Sequence, residues 1–198
     1  MLVTSPLLGR RRPGWVFVVL ASVVALVVGM VSTAAAAPGD ATPDARHGVP
    51  ALLTKQAASA AELRAQLDLQ LELFPGGRQT ASNEISYGGG QFVVSYAQPG
   101  EKQVRAADCP SGWFCFYDRT NYGYPRGRLS DVGVQNLSTW GWENRTESVH
   151  NNTSTYVEFL DNNEGFLFCM ESRAVSSDVN PWRNQADMVN RGGQHAFC

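Results

Sequence analysis

Residues 108–117, reading D-C-P-S-G-W-F-C-F-Y, constrain the fold more than any other stretch. Cys109 and Cys115 bracket Pro110, Ser111 and Gly112, three turn formers. Trp113, Phe114, Phe116 and Tyr117 follow at once, an aromatic run suited to a strand packed on a core. A short covalent loop leading straight into a buried strand suits a small β domain from an oxidising compartment.

The cysteines number four, Cys109, Cys115, Cys169 and Cys198, all in the C-terminal half. An even count favours a disulfide framework, and four cysteines allow three pairings. Cys109–Cys115 with Cys169–Cys198 is the favoured set, because the first would close a tight turn and the second would pin the C-terminus. Metal ligation is the weaker alternative, since no Cys-x-x-Cys pair occurs.

The N-terminus agrees with export. Arg10, Arg11 and Arg12 precede an apolar run over 15–31, and Ala34, Ala35, Ala36 and Ala37 offer small-residue cleavage sites. Residues 1–37 read as a signal peptide, with an uncleaved membrane anchor as the alternative. Three of the 16 Lys and Arg leave with that leader while all 18 acidic residues stay, so the net charge moves from −2 to −5. An acidic product argues against nucleic acid as partner and against adhesion to anionic membranes once the signal is cleaved. The expected product is secreted, extracellular and monomeric.

Residues 38–58 mix Pro, Gly, Ala, Asp and Thr without period and read as a flexible linker. Residues 59–107 read as a helix plus β-hairpin accessory segment. Ser59 with Glu62 forms a capping box, and Ala60, Leu63, Leu67, Leu71 and Phe74 fall on one helical face before Pro75, Gly76 and Gly77. Leu67, Leu69, Leu71 and Leu73 also alternate as a strand would, but the cap and the helix formers favour the helix. Ile85 and Tyr87, then Phe92, Val94 and Tyr96, alternate on two arms around Gly88, Gly89 and Gly90.

Residues 108–198 read as all-β, with strands expected over 113–117, 128–130, 148–151, 155–160, 166–170 and near Met188. An internal echo runs through them at an offset of about 40 residues. Phe116-Tyr117-Asp118 returns as Phe159-Leu160-Asp161, and the Trp142-Glu143-Asn144 region returns as Trp182-Arg183-Asn184. Two four-strand units sharing one core would explain it.

The run C-P-S-G-W-F-C-F-Y-D, with N-L-S-T-W-G-W-E-N-R-T and V-H-N-N-T-S after it, resembles actinobacterial secreted inhibitors of the Streptomyces metalloproteinase inhibitor type. The resemblance is strongest over 108–198. It implies an all-β, βγ-crystallin-like sandwich of two Greek-key motifs, here preceded by the helix and hairpin. It also implies inhibition of extracellular proteases, chiefly metalloproteases, by a disulfide-rigidified loop presented to the active site. In that family the reactive bond follows a cysteine of the second half, and the matching bond here is Cys169–Met170. Phe166, Leu167, Phe168 and Glu171 would complete the contact loop. The alternative is that Phe166, Phe168 and Met170 are one face of a buried strand.

βγ-crystallin modules often bind calcium through a loop whose copies here are E-N-R-T-E-S and R-N-Q-A-D-M. Glu143, Asn144, Glu147 and Asp187 are the weak candidate ligands, and no cofactor is expected otherwise. A non-inhibitory module binding calcium or a cell-wall polymer is the competing reading. Catalysis finds no support: there is no G-x-S-x-G, no H-E-x-x-H, and His47, His150 and His195 lack partners at informative spacing.

Overall fold

The computed structural model describes residues 48–102, 106–192 and Cys198. The signal-peptide reading of residues 1–37, the first part of the expected linker (38–47), and His47 and His195 lie outside them.

The core of the chain follows from alternation. Strands β4 (Phe114–Arg119), β5 (Gly123–Leu129) and β7 (Ser148–Asn151) make an antiparallel set, while β6 (Gly133–Asn136) crosses to a second sheet. The second unit repeats the plan. Strands β8 (Val157–Leu160), β9 (Phe166–Met170) and β11 (Met188–Arg191) share the second sheet, and the two-residue β10 (Val175–Ser176) crosses back to pair with β7. Each unit thus lends its third strand to the other's sheet, and the result is a β-sandwich of two Greek keys preceded by one helix. Inward residues Phe114, Phe116, Leu129 and Val149 of the first sheet and Val157, Phe159 and Val189 of the second are buried together with Trp140 and Trp142.

The echo at 40 residues has a physical counterpart. Asn144 and Asn184 both hold positive φ, 55° and 57°. The Asn144 N–H donates to the Ala186 carbonyl at 2.9 Å, and the Asn184 N–H donates to the Thr146 carbonyl at 3.0 Å. The two loops tie the units together by one bond in each direction. Gly127 is required where it stands, because a Cβ there would lie 2.3 Å from the Phe116 ring.

Three expectations need correction. The division at residue 108 is not a break in the sheet. Strands β1 (Arg78–Ala81), β2 (Glu84–Tyr87) and β3 (Phe92–Ser95) continue it, with β3 paired to β5, so the first sheet runs β1-β2-β3-β5-β4-β7-β10. The hairpin is therefore built into the sandwich rather than accessory to it.

Helix α1 (Ala60–Leu73) starts as expected, with Ser59 Oγ accepting from the Glu62 N–H and Glu62 accepting from the Ala58 N–H. Its buried face differs from the expected one, because Gln66 and Gln70 join Leu63 and Leu67 in the interior. Gln70 donates to the Trp140 carbonyl and to Tyr87 Oη and accepts from the Tyr96 hydroxyl, so its amide is satisfied and its burial is tolerated.

The described part of the expected linker, 48–58, is not flexible coil. It carries a 3₁₀ turn at Ala51–Leu53, with Val49, Leu53 and Ala57 buried. Gln66 donates to the carbonyls of Leu52 and Lys55, Arg119 to that of Thr54 and Arg145 to that of Leu53. Backbone groups held this way have no need of solvent.

Candidate functional site

Cys109 is joined to Cys115 and Cys169 to Cys198, with Cα separations of 5.6 and 5.9 Å. The first disulfide sits on the outer face of the first sheet because Cys115 alternates with the inward Phe114 and Phe116. Beside it, Asp108 accepts from the Tyr117 and Tyr124 hydroxyls at 2.6 and 2.7 Å and pairs with Arg126 at 2.9 Å. Burial pushes the Asp108 carboxyl up, but those donors outweigh it and hold it below the usual carboxylate range. His150 Nδ1 accepts from the Cys109 N–H, and burial lowers its pKa, so it is a structural acceptor of the disulfide loop. This end is a rigid anchor with no open chemistry.

At the second disulfide the expected contact loop is a strand. Phe166, Leu167, Phe168, Cys169 and Met170 form β9, the outermost strand of the sheet ordered β6-β11-β8-β9. Met170 is 7% exposed and Leu167 8%. Phe168 stacks on Phe159 with centroids 4.5 Å apart. The Asn151 amide donates to the carbonyls of Met170 and Glu171, which clamps the backbone directly after the candidate bond. Of residues 166–171, only Phe166 and Glu171 are exposed. The Cys169–Met170 bond is thus not displayed on a protruding loop, and the Met170 side chain faces the core. A register shift opposite Phe159 and Leu160 puts Phe166 on the face opposite Phe168, which breaks the alternation read from the sequence.

Of the four calcium candidates, Glu147 is engaged apart from the other three. Glu147 accepts from the Thr120 N–H and from the Asn184 amide. Asp187 lies instead near Glu143, Asn144 and Asp161, and burial, then Glu143, then Asp161 raise its pKa. Arg183, at the head of the second copy, pairs with Asp178. Among the described residues no group of three or more acidic, His or Cys side chains is arranged to hold a metal ion.

Asp187 does give a pH-dependent expectation. A raised carboxyl pKa in the folded state favours the protonated form, so its stabilising contribution is present at low pH and lost as pH rises through the folded pKa. Asp187→Asn should therefore gain on the wild type between pH 4 and 7, by roughly 1–3 °C in melting temperature at neutral pH. Thermal melts across that range check it. An advantage that shrinks as pH rises would contradict the assignment.

A surface that sequence reasoning missed lies at the opposite edge of the same sheet. Val132 and Val134 are the most exposed large apolar residues described, at 69% and 58%. They flank Gly133, whose φ of 85° suits glycine. Arg191 donates to the Ser130 carbonyl and Gln135 to the Val132 carbonyl, and Gln91 in turn donates to Gln135. The available signal is the apolar pair in D-V-G-V between polar neighbours.

Comparison with known proteins finds a family model that matches part of the chain and three solved structures with some similarity to it. Residues 102–165 match the family described as peptidase inhibitor family I36. No curated protein matches the chain. Three solved structures share 14–20% identity with it. One, described under the evolution of the eye lens βγ-crystallin domain fold, has a TM-score of 0.39 and covers 46% of this chain and 94% of its own. A point mutant of a βγ-crystallin domain from Clostridium beijerinckii has 0.33, with 39% and 94% covered. Spherulin 3A from Physarum polycephalum has 0.35, with 46% and 93% covered.

Proposed function

With residues 102–165 relating this chain to peptidase inhibitor family I36, we propose that it is an exported inhibitor of extracellular peptidases, metallopeptidases of the thermolysin type first among them. The observation that carries the reading is where the match falls. It runs from the approach to the first disulfide through β4, β5, β6, β7 and β8, the body of the sandwich.

A peptidase cleft takes its substrate as an extended strand, so an inhibitor has to offer an extended segment already held in shape. The second sheet ends in two such strands, β6 and β9, each carrying an exposed apolar side chain. Two disulfides and an interior of stacked aromatic rings keep the frame stiff, which lowers the ordering cost of binding. Both disulfides also accord with an oxidising, extracellular setting.

The test is a titration of the oxidised chain from residue 38 against a thermolysin-type metallopeptidase and a subtilisin-type serine peptidase. Inhibition of the metallopeptidase at or below about 1 μM is expected, with less effect on the serine enzyme. Activity of both enzymes unaffected at about 10 μM would remove the reading. Met170→Asp is a poor probe of the contact, because a charge placed at that buried position disturbs folding first.

A further inference from the structure

We propose that segment 130–134, rather than the bond beside the second disulfide, is the surface that enters the peptidase cleft, with Val132 as the side chain that fills its pocket. This rests on the inhibitor reading and deepens it. The occupant is an endopeptidase that binds its substrate in extended form and has a primary pocket for an aliphatic, β-branched side chain.

The two described sheets end in four strands, β1, β10, β6 and β9. Strand β1 reads Arg-Gln-Thr-Ala and offers no large apolar side chain. Strand β10 has two residues, too short to line a cleft. Strand β9 turns Leu167 and Met170 into the sandwich, and its following backbone is clamped by Asn151. Val132, just before β6, and Val134 within it point to solvent, and among the described residues the strand pairs on one side alone, with β11. Its other backbone edge is available to a substrate-like pairing.

The segment is also braced as an inhibitor requires. It joins β5 in one sheet to β6 in the other, so both of its ends are fixed by different layers. Its carbonyls at Ser130 and Val132 accept from Arg191 and from Gln135, and Gln135 itself accepts from Gln91 of the N-terminal hairpin. These bonds hold the segment's backbone in place. Binding then costs little ordering entropy. Exposed valines in open water are otherwise unrewarded, and pocket burial of such an anchor is where binding energy concentrates. Finally, the family match ends at residue 165. It contains 130–134 and excludes all of β9.

Three variants separate the possibilities: Val132→Asp, Val132→Ala and Phe166→Asp, each compared with the wild type by inhibition constant against the thermolysin-type enzyme and by thermal unfolding. Val132→Asp should raise the inhibition constant by about 100-fold and Val132→Ala by about 10-fold, while Phe166→Asp stays within about threefold. The melting temperature of both Val132 variants should match the wild type, since the side chain is 69% exposed. A Val132→Asp protein that still inhibits within about threefold of wild type overturns this surface while leaving the inhibitor reading intact. A large loss for Phe166→Asp with none for Val132→Asp returns the contact to β9. Failure of the wild type itself to inhibit would instead remove the inhibitor reading, and this surface with it.

Discussion

Replacing Arg145 with alanine should cost about 3–5 kcal/mol, the range expected when one partner of a buried ion pair is removed. The side chain is fully buried. Its Nε pairs with Asp118 Oδ1 at 2.9 Å, and its two terminal nitrogens donate to the carbonyls of Gly141 and Leu53 at 2.9 and 3.1 Å. The guanidinium lies 4.3 Å from the centre of the Trp142 ring. Alanine would leave Asp118, 2% exposed, without this cation and would open a void beside the tryptophan.

For a domain of this size that corresponds to a melting temperature lower by roughly 6–20 °C. Urea unfolding of Arg145→Ala and Arg145→Lys gives the number. Lysine keeps the charge but loses the fork that reaches three acceptors, so it should recover only part of the loss. A change below about 1 kcal/mol for alanine would mean that the pair is not buried as described.

The second large effect concerns the N-terminal strap. Deleting every residue before Ser59 removes Leu53, which is fully buried, and strips the acceptors that Gln66, Arg119 and Arg145 use. Loss of a buried leucine alone costs about 2–5 kcal/mol, and the donors left without acceptors add to it. A chain beginning at residue 59 should therefore unfold at markedly lower denaturant than one beginning at residue 38. Equal midpoints would show that 48–58 is dispensable, as a linker would be.

That strap explains where sequence reading stops. Residues 48–58 look like linker because the stretch they belong to is rich in Pro, Gly, Ala and Thr, and the residues that fix them are far away. Arg119 lies 65 positions from Thr54 and Arg145 lies 92 from Leu53. No local pattern reports such a bond. Strands β4, β8 and β9 are legible because runs of large apolar residues between turn formers directly reflect burial. Strand β6 is not, because its inward positions are Gly133 and Gln135 rather than apolar residues. Helix α1 is legible but its buried face is not, since Gln66 and Gln70 count as polar in any periodicity and only their distant partners justify burying them. At the candidate site, the cysteine-then-methionine pattern is plain in the sequence. The register shift that decides which way Phe166 points is not.

The exchange of third strands has a consequence for how the molecule comes into being. The first sheet cannot be completed until β10 exists, and the second lacks its central partner until β11 exists. A chain made from its N-terminus therefore carries unfinished sheet edges until almost its last residues are available. Long-range closure of this kind slows assembly and keeps unpaired strands in solution for longer. Neither half is a separable module: to cut the chain between β7 and β8 would yield two fragments that each await a strand held by the other.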